Sequence, residues 1–320
     1  MTVFFELGGD SINAIRIVSK LRNLGYQTSV KNIMQLAKPV LIAKELQKMK
    51  NVDKKEETVK GEVLLSPIQY RFFESELVNP DHFNQSIILT SKEPINVSAV
   101  KECIKRILDN HDQLRATFED KHQEIRERFE EDQYALYLFK IKDENLKSQL
   151  KNIGNEIQKH ISLNKKRLIC CGIIEGDSFH GLVICIHHLI IDGMSWNILI
   201  EDLTKIYTGY IQNVTVDMQK RTTSFKEWSE YLANYYQNGA NNKELIYWRN
   251  ITKQLENSKV TFDKEVLSTI KDSQFTIKEE IASKLTALAR KNLSMSPNEA
   301  LLTVLVRAFV ILLNRKDISV

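Results

Sequence analysis

The chain has 320 residues, of which 42% are hydrophobic and 27% charged, with 11 glycines and 5 prolines. At about 100–200 residues per domain, this length predicts two folded domains, and the composition excludes collagen-like and globally disordered chains. The formal net charge is +4, although residues 1–50 alone carry +5. Because this excess is confined to a short segment without interleaved aromatic residues, we expect no nucleic-acid partner.

Neither a membrane anchor nor a disulfide framework is indicated. The N-terminus has no basic segment followed by an apolar one. The longest apolar stretch, 300–313, contains Arg307 and is shorter than the about 20 residues that cross a bilayer, so we predict a buried helix there. Cys170 and Cys171 are adjacent on a predicted strand, which makes them poor partners for a disulfide or a metal. We expect reduced cysteines, no metal site, no membrane partner and a cytoplasmic protein.

The N-terminal region predicts a small helical unit with helices over 11–25, 30–36 and 40–49. Asp10 and Ser11 are good helix caps, and Gly25 is typical of a helix end. Residues 51–61 then combine dense mixed charge with little to bury, which predicts a solvated linker and a domain boundary.

The region 62–320 predicts a larger α/β unit, because strand and helix patterns alternate along it. Strands are expected over 83–90, near Phe129, and over 134–139, 168–174 and 181–188. Helices are expected from Pro67 and over 97–111, 146–160, 195–210, 225–237, 244–255, 277–288 and 297–314.

One segment with chemical potential precedes the first helix. Gly8 and Gly9 allow a tight turn, after which the Ser11 hydroxyl would stand at a helix N-terminus, where partial positive charge favours a phosphate group. From physics alone, a plain helix cap formed by Asp10 and Ser11 is the stronger interpretation.

A second such segment follows the most apolar predicted strand. His187 and His188 end that strand, and Gly193 leads into the helix from Ser195. Adjacent strand residues face opposite ways, so the two histidines cannot easily chelate one metal. A lone buried histidine is more often structural than catalytic, but the N-terminus of the next helix could stabilise an anion formed nearby.

The stretch Leu7-Gly8-Gly9-Asp10-Ser11 resembles the phosphopantetheine attachment motif of peptidyl carrier domains from nonribosomal peptide synthetases. The resemblance implies 4'-phosphopantetheine bound covalently to Ser11, with Gly9 and Asp10 beside it, and makes residues 1–50 a partial carrier domain. It also implies a phosphopantetheinyl transferase, an upstream adenylation domain and downstream synthetase modules as partners.

The stretch from His187 and His188 to Asp192-Gly193 resembles the His-His-x-x-x-Asp-Gly signature of the condensation superfamily, whose two-lobed fold is similar to chloramphenicol acetyltransferase. Segments 64–69 and 111–118 resemble two further motifs of that superfamily. The resemblance implies that His188 is catalytic, with His187 in support, and that Asp192 is structural and pairs with Arg115. The expected fold is therefore an incomplete α/β lobe of this kind, preceded by a partial all-α carrier bundle.

Within that superfamily, several features resemble epimerization domains. These are Ser195-Trp196 after the signature, His82-Phe83-Asn84-Gln85-Ser86, Phe72-Phe73-Glu74, and Asp10 where other carriers have histidine. They imply an isomerase within a multifunctional enzyme of antibiotic biosynthesis, which inverts Cα of an aminoacyl or peptidyl thioester. His188 would be the general acid and base, since imidazole ordinarily titrates near pH 6.5.

Inversion also needs a group on the opposite face of the substrate. Epimerization domains take it from a Glu-Gly-His-Gly-Arg-Glu motif that these 320 residues do not contain. We therefore expect a piece of a longer synthetase that holds the first lobe and the start of the second, and that is inactive alone. Two alternatives stay open: a condensation domain that forms a peptide bond between carrier-bound substrates, and an inactive fragment that acts only in docking.

Overall fold

The computed structural model describes residues 4, 9, 11–48, 58–75, 77–142, 144–218, 223–238, 242–256, 275–293, 295 and 297–313. The chain divides into two compact units, Met1–Asn234 and Tyr235–Val320. The functional residues predicted from the sequence all belong to the first unit.

The N-terminal region of the first unit is a small helical bundle with α1 (Ser11–Asn23), β1 (Tyr26–Gln27), α2 (Val30–Leu36), α3 (Pro39–Glu45) and β2 (Gln47–Lys48). Gly25 has φ +82°, a left-handed value that glycine adopts without strain and that lets the chain turn after α1. Phe4, Ala14, Ile33 and Ile42 form the core of this bundle.

The third predicted helix, 40–49, is too long. In the structure α3 ends at Glu45, because Leu46 is extended and the next two residues pair antiparallel with β1. Met49 lies outside the described residues.

The rest of the first unit alternates strands and helices: β3 (Gly61–Val63), α4 (Pro67–Glu74), β4 (Asn84–Ser91), α5 (Val97–Asn110), β5 (Ala116–Glu119), β6 (His122–Ile125), β7 (Tyr134–Lys140), α6 (Leu146–Lys159), β8 (Ile169–Glu175), β9 (His180–His187) and α7 (Ser195–Gln212). The remaining helices are α8 (Phe225–Gln237), which continues past Asn234, and α9 (Asn242–Glu256), α10 (Glu279–Leu293) and α11 (Pro297–Leu312) in the second unit.

A four-stranded sheet of order β4-β9-β8-β7 forms the centre of the first unit, with β7 and β8 parallel and the other neighbours antiparallel. Alternation of side chains along β9 fills two cores. Ile184 and Ile186 pack with residues of α5 and α7, whereas Val183 and Cys185 pack with residues of α6. Consequently β9 is covered on both faces, by α5 and α7 on one side and by α6 on the other.

A second sheet, of order β3-β6-β5, was not predicted from the sequence. Its strands have three or four residues, too few for a period of two to stand out. Phe129, predicted to lie on a strand, lies on none; its ring packs beside Tyr134 instead, at a centroid distance of 5.5 Å.

The prediction of a buried helix over 300–313 was wrong for most of that helix. Leu301, Leu302 and Val304 of α11 are each about half exposed. Within the described part of the second unit, α10 packs against α11, and the buried side chains are the small Ala289 and Ala300. One helical neighbour covers one stripe only, so a helix that is apolar on all sides stays partly exposed.

Candidate functional site

His188 lies in the turn directly after β9, whereas the sequence had predicted it on the strand itself. Its backbone N–H donates to the Phe83 carbonyl at 2.8 Å, which extends the pairing of β4 and β9 by one residue. The Phe83 ring stacks on the imidazole, with centroids 5.0 Å and planes 15° apart. The half-buried imidazole is therefore fixed at the end of two paired strands.

Both ring nitrogens of His188 have partners. Nδ1 lies 2.8 Å from the carbonyl oxygen of Ile191, and Nε2 lies 2.9 Å from the amide nitrogen of Gln85. A carbonyl oxygen can only accept, so Nδ1 carries the proton of the neutral ring and Nε2 carries the lone pair. Nε2 is thus the nitrogen that can take a proton from a substrate.

The Gln85 amide is itself oriented by a third residue. Its Oε1 accepts a hydrogen bond of 2.7 Å from the indole Nε1–H of Trp196, in the first turn of α7. Sequence reasoning used Gln85 and Trp196 only as marks of resemblance and missed that Gln85 contacts His188 and that Trp196 contacts Gln85. The sequence did mark these two residues, because Gln85 and Trp196 both lie in segments that resemble epimerization domains.

The turn after His188 is supported by the segment 64–69. Ser66 and Gln69 form a capping box at the start of α4, which places the Gln69 side chain against the turn. There its Nε2 donates to the carbonyl of Leu189 at 3.0 Å. This segment therefore acts on the site through the backbone beside His188.

His187 faces the opposite way and is fully buried. Its Nδ1 accepts from the backbone N–H of Leu189 at 3.2 Å, so Nε2 carries the proton and donates to the carbonyl of Pro80 at 2.9 Å. Burial disfavours the imidazolium and outweighs the effect of the Pro80 carbonyl and of nearby Asp81, so the pKa of His187 is lowered. Neutral His187 thus joins the chain before β4 to the turn after β9.

We expect the free energy of unfolding to fall as the pH drops below about 6.5, the ordinary pKa of histidine, because of His187. Its pKa is lowered in the folded state, so below that pH the unfolded chain binds a proton that the folded chain does not. The stabilisation is present above about pH 6.5 and is lost on acidification, by at most about 1.4 kcal/mol per pH unit. Urea unfolding between pH 7.5 and 5 measures it.

The matched variants are His187→Gln and His122→Gln. Glutamine at position 187 can still donate and accept but does not titrate, so the slope between pH 6.5 and 5 should flatten. His122 is 81% exposed, and its replacement should leave the slope unchanged. A slope that survives in His187→Gln would show that another group causes the acid sensitivity.

Asp192 does not pair with Arg115, which corrects the prediction. The carboxylate is exposed rather than buried, and its Oδ1 accepts from the Ser195 backbone N–H at 2.8 Å and from the Ser195 hydroxyl at 2.7 Å. Partial desolvation alone would raise the pKa of Asp192, but these bonds and a bond from the Met194 backbone N–H together lower it. Asp192 therefore already occupies the N-terminus of α7, where the sequence had suggested room for an anion.

Arg115 is buried away from Asp192 and has its own partners. Nη2 pairs with the Asp112 carboxylate at 2.8 Å and also donates to the Val59 carbonyl. Nε and Nη1 donate to backbone carbonyls at 2.7–3.0 Å; the acceptors are Arg126, Leu108 and Asp109. All five N–H groups of the guanidinium are thus used, four within the segment around α5 and β6 and one on Val59 before β3.

The four cysteines are free and buried. Burial raises the pKa of Cys103, Cys170 and Cys185 to about 12, so these thiols stay protonated and unreactive. No group of three or more His, Cys, Asp or Glu among the described residues is arranged to hold a metal ion. Of the helices described, none has the length and apolar content to cross a membrane.

The residues predicted to hold the phosphopantetheine lie at the start of α1, whose first residue is Ser11. Gly9 donates its N–H to the Phe4 carbonyl at 2.9 Å, and a Cβ on Gly9 would lie 2.5 Å from that oxygen. Only glycine therefore fits this turn without displacing Phe4 from the bundle core. Asp10 lies outside the described residues.

The helix that begins at Ser11 also contacts α7. The guanidinium of Arg16 on α1 donates to the side-chain oxygen of Asn197, which follows Trp196 along the chain. The carrier-like bundle thus meets the rest of the first unit beside the helix that orients Gln85.

Family models match both parts of the chain. A model for the condensation domain matches residues 59–320, and a model for the phosphopantetheine attachment site matches residues 2–46. Bacitracin synthase 3 of Bacillus licheniformis is 31% identical over 99% of this chain and 5% of its own length. Bacitracin synthase 2 of the same organism is 33% identical over 78% of this chain and 10% of its own length. The chain therefore spans at most about a tenth of these two relatives.

Solved structures confirm the expected fold. The epimerization domain from the third module of tyrocidine synthetase B matches with a TM-score of 0.58 and 27% identity, over 66% of this chain and 48% of that one. The condensation domain from the monacolin K polyketide synthase shares the fold, with a TM-score of 0.55 and 12% identity over 74% of this chain and 56% of that one. Residues 2–46 thus form a carrier region that binds 4'-phosphopantetheine covalently, and with the match over 59–320 the chain belongs to the condensation-domain family of nonribosomal peptide synthetases.

Proposed function

We propose that the chain belongs to an epimerization unit, which inverts Cα of an aminoacyl or peptidyl thioester carried on phosphopantetheine. The observation that carries the proposal is the state of His188: its Nδ1–H is held by the Ile191 carbonyl, so the lone pair is confined to Nε2. A neutral imidazole fixed in this way is suited to take the Cα proton of a thioester and to return it.

Two features favour epimerization over peptide-bond formation. Gln85, which contacts His188, and Trp196, which contacts Gln85, belong to the two segments that resemble epimerization domains. The solved epimerization domain also shares 27% of its residues with the chain over the aligned region. Inversion needs a second group that protonates the opposite face, and we propose that a longer synthetase supplies it.

Deuterium wash-in tests this function. In the synthetase that carries the chain, the loaded thioester is incubated in heavy water, and the amino acid is released and analysed by mass spectrometry and chiral chromatography. Epimerization predicts deuterium at Cα and a mixture of D and L forms on one carrier. Chain elongation onto a second carrier without deuterium at Cα would reject the proposal.

Peptide-bond formation is the second candidate, with His188 positioning or deprotonating the incoming amine. The family model that matches most of the chain is the one for the condensation domain, and this name supports the candidate. The wash-in experiment separates the two, because peptide-bond formation does not break the Cα–H bond.

We also propose that Ser11 is the attachment residue, with Gly9 and Asp10 forming the turn before it, in a carrier domain of residues 1–50 joined by a linker of 51–61 to a catalytic domain of 62–320. When bound, the cofactor supplies a thiol that holds the substrate as a thioester. The Phe4 carbonyl lies so close to Gly9 that a side chain there would clash with it. This need for glycine supports a tight turn directly before Ser11, the first residue of α1. A phosphopantetheinyl transferase, an upstream adenylation domain and downstream modules are the proposed partners.

Incubation with coenzyme A and a phosphopantetheinyl transferase is expected to add one phosphopantetheine to the chain, as measured by intact mass. Ser11→Ala should abolish the addition. Gly9→Ala should slow it strongly, because the new methyl group must displace Phe4, and should cost the bundle about 1–3 kcal/mol. Ser19→Ala, an exposed change on α1, is the matched control and should be modified normally. Addition to Ser11→Ala would place the cofactor elsewhere.

A further inference from the structure

Three hydrogen bonds connect the start of α7 to the turn after β9, and they pass through a side chain of β4. Trp196 donates to Gln85 at 2.7 Å, Gln85 contacts His188 at 2.9 Å, and His188 contacts the Ile191 carbonyl at 2.8 Å. The partners in the first two bonds are 111 and 103 positions apart in sequence, so the tertiary fold alone brings them together.

The direction of each bond follows from the groups at its two ends. An indole N–H only donates, so the Gln85 oxygen must face Trp196. The Gln85 NH2 group then faces His188 and donates, which requires the lone pair on Nε2. The Ile191 carbonyl only accepts, which requires the proton on Nδ1. Both requirements select the same tautomer of His188.

The elements that hold this chain of bonds are rigid. Gln85 lies on β4, opposite Ile186 of β9. Trp196 is 8% exposed and packs in the core that Ile184 and Ile186 share with α5 and α7. Phe83, stacked on His188, precedes β4 by one residue. The imidazole therefore has little freedom to rotate or to exchange its tautomer.

We propose that Gln85 is a positioning residue for His188, oriented in turn by Trp196, and that the pair keeps the lone pair on Nε2. The catalytic consequence rests on the proposed function, whereas the tautomer does not. Because the amide donates to Nε2 in the free chain, it must release that nitrogen when a substrate Cα–H approaches.

Gln85→Glu gives the sharpest contrast, since it keeps the size and removes the donor. A carboxylate can accept from Trp196 with one oxygen, but it can satisfy Nε2 with the other only if Nε2 carries a proton. We expect a doubly protonated His188 ring, which has no lone pair to act as a base. Gln85→Met removes both polar contacts and leaves the Ile191 bond, so the ring should stay singly protonated at Nδ1.

Nitrogen chemical shifts read the tautomer directly, without substrate. The chain is labelled with ¹⁵N-histidine, and the His188 signals are assigned by their absence in His188→Gln. At pH 8 we expect a protonated Nδ1 and a bare Nε2 in the wild type, and two protonated nitrogens in Gln85→Glu. Trp196→Phe should move the Nε2 signal, because the amide can then turn its oxygen toward the ring. Trp228→Phe, which changes a half-exposed tryptophan of the same unit, should leave the signals unchanged.

A wild-type ring protonated on Nε2 alone would overturn the proposal, as would Nε2 signals unaffected by both Gln85→Glu and Trp196→Phe. If Gln85→Glu fails to fold, Trp196→Phe still decides. In the synthetase, Gln85→Glu should slow deuterium wash-in by about 10²-fold with little change in KM, and Gln85→Met by about tenfold. A wild type that shows no wash-in would reject epimerization, while the nitrogen shifts would still test the positioning role.

Discussion

Replacing His188 with alanine is expected to lower deuterium wash-in at Cα of the carrier-bound thioester by about 10²–10⁴-fold, the contribution of a well-placed general base. The side chain is only half buried, and within the described part of the chain its ring contacts Phe83, Gln85 and the Ile191 carbonyl. The midpoint of urea unfolding should therefore change little. Mass spectrometry of the released amino acid measures the loss of label.

Two variants control this experiment. His122→Ala removes an exposed imidazole and should leave wash-in unchanged. His187→Gln keeps the bonds to Pro80 and Leu189 available and should retain most of the wash-in, because His187 faces away from Nε2 of His188. Wash-in that persists in His188→Ala would show that another base removes the proton.

Helices were the part of the fold most accessible from sequence. For α5 and α6, apolar residues recur at helical spacing, and both helices form within one residue of the predicted bounds. The same holds for β8 and β9, whose long apolar runs predict strands covered on both faces. The predicted α/β fold is therefore confirmed where the local pattern is long.

Short strands could not be predicted, because they are extended only where they pair with another segment of the chain. β3 and β5 gain their hydrogen bonds from β6, and β2 gains its bonds from β1. None of these segments is long enough to show alternation of its own. Strand order in the central sheet was equally hidden, since β4 pairs with β9 across a long separation in the chain.

The candidate site came from the sequence only in part. The resemblance named His188, and the structure adds how its tautomer is set. Gln85 has no local pattern that marks it as a partner of His188, because the contact depends on the register between β4 and β9. The error over Asp192 has a similar origin: an aspartate shortly before a helix commonly accepts from a backbone N–H of the first turn, and in the structure Asp192 makes this local bond to Ser195.

Removing the Arg115 side chain is expected to cost about 3–5 kcal/mol of unfolding free energy, the usual effect of breaking a buried ion pair. Arg115 is 1% exposed, and it binds one carboxylate and four backbone carbonyls. In Arg115→Ala these acceptors lose the five bonds from the guanidinium, and Asp112 loses its paired cation at a side-chain exposure of 10%. Arg115→Lys should recover only part of the loss, because an ammonium has three donors where the guanidinium has five.

A double-mutant cycle decides between the two carboxylates that could pair with Arg115. We expect a coupling energy above about 1 kcal/mol between Arg115→Ala and Asp112→Ala, and additivity within about 0.5 kcal/mol between Arg115→Ala and Asp192→Ala. Arg71→Ala, an exposed arginine on α4, is the matched control and should change stability by less than about 0.5 kcal/mol. Coupling to Asp192 in place of Asp112 would mean that the guanidinium reaches the turn after β9 and acts on the site directly. Coupling to Asp112 means that the guanidinium is held within its own turn after α5 and acts on His188 only through the fold.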